Sequence, residues 1–246
     1  MKTAAQKISN RERIIAISLQ LFNERGERNV GTFHIASELS ISPGNLYYHF
    51  KGKDEIILQL LLMHQQELME LLKSFGTMNC LENFNQIINA LFDKMWRYRF
   101  LMTDTSSLTE KYEKLFQTHY EFMQYNIIPF LDTFLMQLDA DNVIDADITI
   151  REELIINSWL VTKHWFCFSY YISGNQFSKS ARSKGARQLL SLFRSYVTEA
   201  HRSEFDSIIN KYIEEENEIK AAYLLETTEN NREQQRTTEN NREQQR

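Results

Sequence analysis

An all-α protein is predicted, with a short, turn-rich head followed by a long helical body, and three observations predict it. Gly and Pro are scarce and clustered: four of the seven glycines lie between positions 26 and 52, and the two prolines are Pro43 and Pro129. Since these residues punctuate helices, the head must turn often and the rest must run in long helices. Apolar residues recur at helical spacing along most of the chain, with no strand pattern beside them. Charge divides at the same place: residues 1–53 hold eight Lys/Arg against four Glu, so with the whole chain at −5 the remainder stands at −9. A basic head on an acidic body directs any polyanion to the first fifty residues.

The head reads as three helices. Ser9 with Glu12 makes a capping box, and Ile14, Ile17, Leu21 and Phe22 form one apolar face. Gly26 stands where a left-handed C-cap residue belongs. Thr32 is placed to cap a second helix that turns Ile35, Ala36 and Leu39 inward. Ser42 is placed to cap a third, with Pro43 at its first position, where a missing N–H costs nothing. This third helix ends near Phe50. Asp54 and Glu55 then open a fourth, which suits the positive end of its dipole, and it runs to about Lys73.

In the body, Gly76 marks a break. A fifth helix is expected from Leu81 to Leu101, and one or two more over residues 105–138, bent at Pro129. Residues 139–147 read as a solvated acidic loop. Its spacing fails as a calcium loop, because Val143 takes a ligand position and the bidentate Glu is missing. Helices are expected at 149–172, 186–201 and 204–225, with Gly174 and Gly185 in a connector. His164, beside Trp165 and Cys167, reads as a histidine on a buried face. Residues 227–236 (TTENNREQQR) recur letter for letter at 237–246, and without apolar residues this tail is expected to be disordered. Three domains follow: residues 1–53, 54–226 and 227–246.

Two cysteines, Cys80 and Cys167, are too few for a disulfide framework or a zinc cluster and fit a reducing cytosol. No apolar run reaches the ~20 residues of a membrane span, and the first ten residues lack a signal-peptide core. A cytoplasmic protein without membrane contact, metal or cofactor is expected. No phosphate loop, paired carboxylates or nucleophile with a positioned base is recognisable, which argues against an enzyme.

The chemistry lies in residues 32–53, TFHIASELSISPGNLYYHFKGK. Two short helices joined by a turn at Ser40–Ile41 fit a helix-turn-helix, whose second helix enters the DNA major groove. That recognition helix would run from Pro43 to Phe50. Its early residues read bases: Asn45 is suited to a bidentate pair with adenine, Pro43 and Tyr48 to thymine methyls, and Gly44 lets the backbone come close. Thr32 at a helix start, with Tyr47, His49 and Lys53, would hold phosphates, and Ser42 either caps the helix or touches a phosphate. Leu46 and Phe50 read as core, and His49 has no second ligand at useful spacing for a metal.

Over residues 9–60 the sequence resembles the tetracycline-repressor (TetR) family of bacterial regulators. The resemblance rests on Leu21, Phe22, Gly26, Thr32, Ile35, Ala36, the run from Ile41 through Phe50, and Lys53. Two departures stand out. Ser40 replaces the family's usual turn Gly, which carries a cost if φ is positive there, and Phe33 replaces a smaller aliphatic residue.

The resemblance implies a C-terminal domain that binds a ligand and dimerises. The dimer bundle would use residues 149–172 and 186–201, with Trp159, Phe166, Tyr170, Leu189, Phe193 and Val197 at the interface. A two-fold dimer sets recognition helices about 34–36 Å apart and implies a pseudo-palindromic operator. A chamber for an unknown apolar or amphipathic small molecule would draw on Met95, Trp96, Arg99, Phe100, Phe116, His119, Tyr120 and Met123. The expected function is a repressor released from DNA by its ligand. The alternative is a DNA-bound dimer whose body binds a protein partner.

Overall fold

The computed structural model describes residues 9–74, 81–103, 108, 110, 112–174 and 180–243. Among these residues the regular structure is helical, with one isolated antiparallel bridge between Ile144 and Val197. The expected break at Gly76 and the start of the 105–138 segment lie outside the described residues.

Helix α1 (Asn10–Arg25) starts with the expected capping box: Glu12 N–H donates to Ser9 Oγ at 3.2 Å, and Ser9 N–H donates to Glu12 Oε2 at 2.8 Å. Gly26 ends it with φ 79°, but ψ is 142°, so the residue is not in the left-handed helical well that its position suggested. Positive φ with extended ψ is open essentially to Gly. Helix α2 (Thr32–Glu38) is capped by Gly31 rather than Thr32, and Gly31 N–H donates to His34 Nδ1 at 3.1 Å. The turn that follows holds Ser40 at φ 54°, so the family's Gly position does demand the left-handed region. Helix α3 (Pro43–His49) has Ser42 as its cap, accepting Asn45 N–H at 3.2 Å.

Helix α4 (Lys53–Ser74) joins head to body. Its first turns complete the head's core, where Ile56, Ile57 and Leu60 pack with Ile14, Phe22, Ile35 and Leu46. Phe100 enters the same cluster from the body, its ring 5.2 Å from that of Phe22. Head and body therefore share apolar contacts on both sides of residue 53.

The expected 81–101 helix divides into α5 (Leu81–Arg97) and α6 (Arg99–Thr103). The division has a cause in α1. Asn23 Nδ2 donates to Arg97 O at 2.8 Å, and Asn23 Oδ1 accepts Phe100 N–H at 3.1 Å. One carboxamide thus replaces the helical partners lost at the break. Tyr98, fully buried at the break, donates its hydroxyl to Glu67 Oε1 at 2.7 Å.

Helix α7 (Glu113–Phe122) passes through a π-helical turn, Met123–Ile127, into α8 (Ile128–Ala140). Pro129 explains the turn. A proline ring clashes with the carbonyl four residues back, here Tyr125, and widening the helix there relieves the clash. The acidic loop after α8 is only partly solvated: Val143, Ile144 and Ala146 are buried in the body's core, and Asp139 Oδ1 accepts Ala146 N–H at 3.0 Å.

Helix α9 (Ile148–Ile172) is capped by Asp147. Helix α10 spans Ala181–Ser191, well before the expected 186–201. The chain leaves the helix because its backbone finds other partners: Tyr196 O accepts Asp145 N–H at 2.7 Å, and Thr198 N–H donates to Val143 O at 3.0 Å. Gly185 lies inside α10 rather than in a connector. Phe92 and Trp165 pack directly onto it, leaving no room for a methyl group. Helix α11 (Glu199–Glu243) continues through the repeat expected to be disordered. Extending an existing helix needs no new nucleus, and Glu, Gln and Arg are strong helix formers.

Candidate nucleic-acid interface and body cavity

The head presents α3 to solvent over its short length. Tyr48 is 85% exposed and Tyr47 52%, and Ser42, Pro43 and Gly44 are exposed with them. Leu46 points the other way into the core. Tyr47 OH lies 3.2 Å from Thr32 Oγ1, which ties α3 to the start of α2 and gathers two phosphate-type donors at one edge. The His49 ring packs edge-on to Tyr48 at 5.1 Å. Around Gly44 the nearest atom to an added methyl would be Ser42 Oγ at 3.9 Å, so nothing within the chain requires glycine there.

Three expected residues sit in more committed settings. Ser42 Oγ is used by the helix cap. Asn45 is half-buried, and its Oδ1 faces Asn10 Nδ2 at 3.4 Å. Lys53 Nζ lies 2.6 Å from Glu27 Oε1 and donates to Glu27 O at 3.0 Å; the side chains are only 18% and 3% exposed. Its charge is therefore compensated within the chain. Lys51, exposed just beyond α3, and Phe33, 70% exposed beside Thr32, were not singled out as contacts by spacing alone.

The body holds a cavity of about 140 Å³ lined by α4, α5, α6, α7, α8, α9 and α10. Of the expected pocket residues, Met95, Met123 and His119 line it, while Trp96, Arg99, Phe100, Phe116 and Tyr120 do not. Phe116 and Tyr120 stack on each other on the outer surface. Arg99 lies over the Trp96 ring at 4.7 Å and reaches Asn23 O at 3.4 Å, so it works at the joint with α1, as Phe100 does. The cavity also takes His64, Gln65, Ser158, Thr162 and Lys163 as polar lining, none of which the periodicity marked. The available signal was His64 itself, a polar residue on the apolar face formed by Leu60, Leu61 and Leu68. Burial, with the His119 ring adding to it, pushes the His64 imidazole down to about 4, and burial does the same to His119, with Lys163 adding to it.

The expected dimer residues are mostly committed inside the chain. Phe166, Leu189, Phe193 and Val197 are buried in the body's core, Trp159 lines the cavity, and Tyr170 is half-buried. What α9 exposes is a different row at a spacing of four: Ile148, Glu152, Ile156, Leu160, His164, Phe168 and Ile172. His164 is thus exposed, not on a buried face. The difference is one of helix phase. Both faces of α9 are apolar, so periodicity alone could not say which one meets the chain's own core.

A helix-turn-helix carried on a helical body with an internal cavity defines the class: a DNA-binding transcription regulator. Residues 14–60 match the family described as bacterial regulatory proteins, tetR family, and residues 63–205 match the TetR bacterial transcriptional repressor family. The chain belongs to the TetR family. An HTH-type transcriptional regulator of Staphylococcus aureus is 47% identical over 49 residues, which span 20% of this chain and 26% of that protein. A TetR-family regulator from Marinobacter aquaeolei is 30% identical, with a TM-score of 0.76, over 83% of this chain and 99% of that one. The ketosteroid transcriptional regulator KstR2 of Mycobacterium tuberculosis shares the fold at 19% identity and a TM-score of 0.59, over 80% of this chain and all of that one. No described helix is long and apolar enough to cross a membrane, and no described cluster of His, Cys, Asp and Glu could hold a metal ion.

Proposed function

We propose that the protein is a homodimeric repressor that binds a pseudo-palindromic operator and is released from it by a small molecule held in the body cavity. One observation carries this reading: α4 belongs to both ends. Ile56 and Leu60 pack in the head's core, and Leu61, His64 and Leu68 line the cavity. Helix α6 makes a second link, with Phe100 against Phe22 and its neighbours Leu101 and Met102 on the cavity wall. An occupant that favours one setting of these helices changes the placement of the head, and it shifts the population only by its differential affinity for the two settings.

At the DNA, α3 enters the major groove. Pro43, Gly44 and Tyr48 meet base edges, Thr32, Tyr47 and His49 hold the backbone, and Lys51 adds an exposed charge. Asn45 reads a base once it leaves Asn10, and the structural charge of Lys53 sets the start of α4 against the head. The exposed row on α9 supplies a self-complementary apolar face for the second copy. This reading is favoured over a protein partner by the cavity, since a body built only to dock a protein needs none. Cytoplasmic action follows from DNA as the target.

Selection from random duplexes at about 150 mM salt, where weak electrostatic binding no longer dominates, tests the reading. A two-fold symmetric site is the expected result. Enrichment of no sequence would overturn it.

A further inference from the structure

Three buried polar atoms of the cavity wall have no hydrogen-bond partner among the described residues: His64 Nδ1, His119 Nε2 and Ser158 Oγ. One of them, His119 Nε2, belongs to a ring that shares the Trp159 face region with a cation. The His119 ring lies 5.9 Å from that of Trp159, and Lys163 Nζ lies 5.2 Å from the centre of the same ring. Ser158 immediately precedes Trp159 on α9, and Lys163 follows it by one helical turn. Besides Gln65 and Thr162 the rest of the wall is apolar, and no acidic residue lines the cavity among the described residues. Buried polar groups are almost always paired, so unpaired polar atoms on an apolar wall that also carries an ammonium mark a place where a ligand supplies partners.

We propose that the cavity's ligand is an amphipathic anion, with an apolar body along the aliphatic and aromatic wall and one carboxylate seated among Lys163, His119 and Ser158. A carboxylate accepts from the Lys163 ammonium and the His119 Nε2–H tautomer, and the Ser158 hydroxyl on the same wall is a further donor to it. It also brings the missing counter-charge. Burial lowers both Lys163 and His119 from their ordinary values, as expected for a cavity end that holds a cation and no acid. A cationic amphiphile would meet repulsion from Lys163, and a neutral one would leave its charge uncompensated. The inference rests on the reading of the cavity as a ligand chamber.

Decanoate, 1-decanol and decylamine, titrated into the full chain, separate the two ideas. Trp159 on the wall reports binding by fluorescence, and the thermal midpoint reports it independently. Decanoate is expected to bind about tenfold or more tightly than decanol, the worth of charge-assisted hydrogen bonds over neutral ones, with decylamine weakest. Lys163→Met should bring decanoate down to the affinity of decanol and leave decanol itself unchanged, which also shows that the variant is folded. Ser158→Ala should weaken decanoate alone by a smaller factor. Decanol binding as tightly as decanoate, or Lys163→Met keeping the preference, would overturn the carboxylate assignment and leave the chamber standing. Binding of none of the three would overturn the chamber reading as well.

Discussion

Lys53 at the start of α4 is paired with Glu27 in the turn after α1, its ammonium 2.6 Å from the Glu27 carboxylate, and Glu27 is 4% exposed. Removing one partner of such a buried pair leaves an uncompensated charge, at a cost of about 3–5 kcal/mol. Lys53→Ala should therefore lower stability by an amount of that order, measured by urea unfolding. Lys51→Ala should leave stability unchanged, weaken binding to all duplexes and reduce the slope of log K against log salt by about one unit. A Lys53→Ala protein of wild-type stability would show that the pair is not structural.

Gly44 gives a separation of fold from function. At the second position of α3 an alanine is the better helix former, worth about 0.4–1 kcal/mol where the backbone accepts it, and no neighbour obstructs the methyl group. Gly44→Ala should raise or keep the melting temperature while lowering operator affinity, because the methyl stands between the helix and the base edges. Unchanged affinity would remove Gly44 from the interface.

The left-handed Ser40 offers the reverse test. A non-glycine residue there costs about 1–2 kcal/mol, and the extra conformational freedom that glycine loses on folding offsets about 0.5–1 of that relief. Ser40→Gly is expected to stabilise the protein by about 0.5–1 kcal/mol, or roughly 1–4 °C in Tm, with DNA binding unaffected. A fall in Tm would contradict the strain inferred from φ.

The α9 row predicts an oligomeric phenotype. Leu160 is half exposed in one chain, so Leu160→Glu should not disturb the monomer's core. It should shift the protein from dimer to monomer in sedimentation and reduce affinity for a two-fold site far more than for a half-site. A Leu160→Glu protein that remains dimeric places the interface elsewhere.

Acid should weaken the fold through His64. Its native value near 4 lies below the ordinary unfolded value of about 6.5, so between these pH values the unfolded chain binds a proton that the native chain refuses. Stability is then complete above about pH 6.5 and falls as pH drops toward 4, with a slope of up to about 1.4 kcal/mol per pH unit from this group. His64→Leu should flatten the profile of unfolding free energy between pH 6.5 and 4.5. An unaltered profile would assign the acid sensitivity to other groups, His119 first.

The head was legible because its signals are local. Capping at Ser9 and Ser42, Pro43 at the first turn and acids opening α4 each depend on a few neighbouring residues and elementary backbone chemistry, and each stands where the spacing put it. The left-handed demand at Ser40 was suggested by the resemblance alone, as the place where the family carries Gly. Long-range partners were not readable. Asn23 divides the helix at Tyr98 from seventy-odd positions away, and backbone bonds between residues 143–145 and 196–198 end α10 early.

The sequence by itself determined an all-helical chain with a basic helix-turn-helix head. Tertiary structure alone decided which apolar face of α9 is core, that the Lys53 charge belongs to Glu27, and that His64, His119, Ser158 and Lys163 share one cavity. The physical reason is the range of the interactions. Helix starts, stops and turns are set by hydrogen bonds over three to five residues, whereas burial, pairing of charges and the lining of a cavity depend on which helices come to lie side by side.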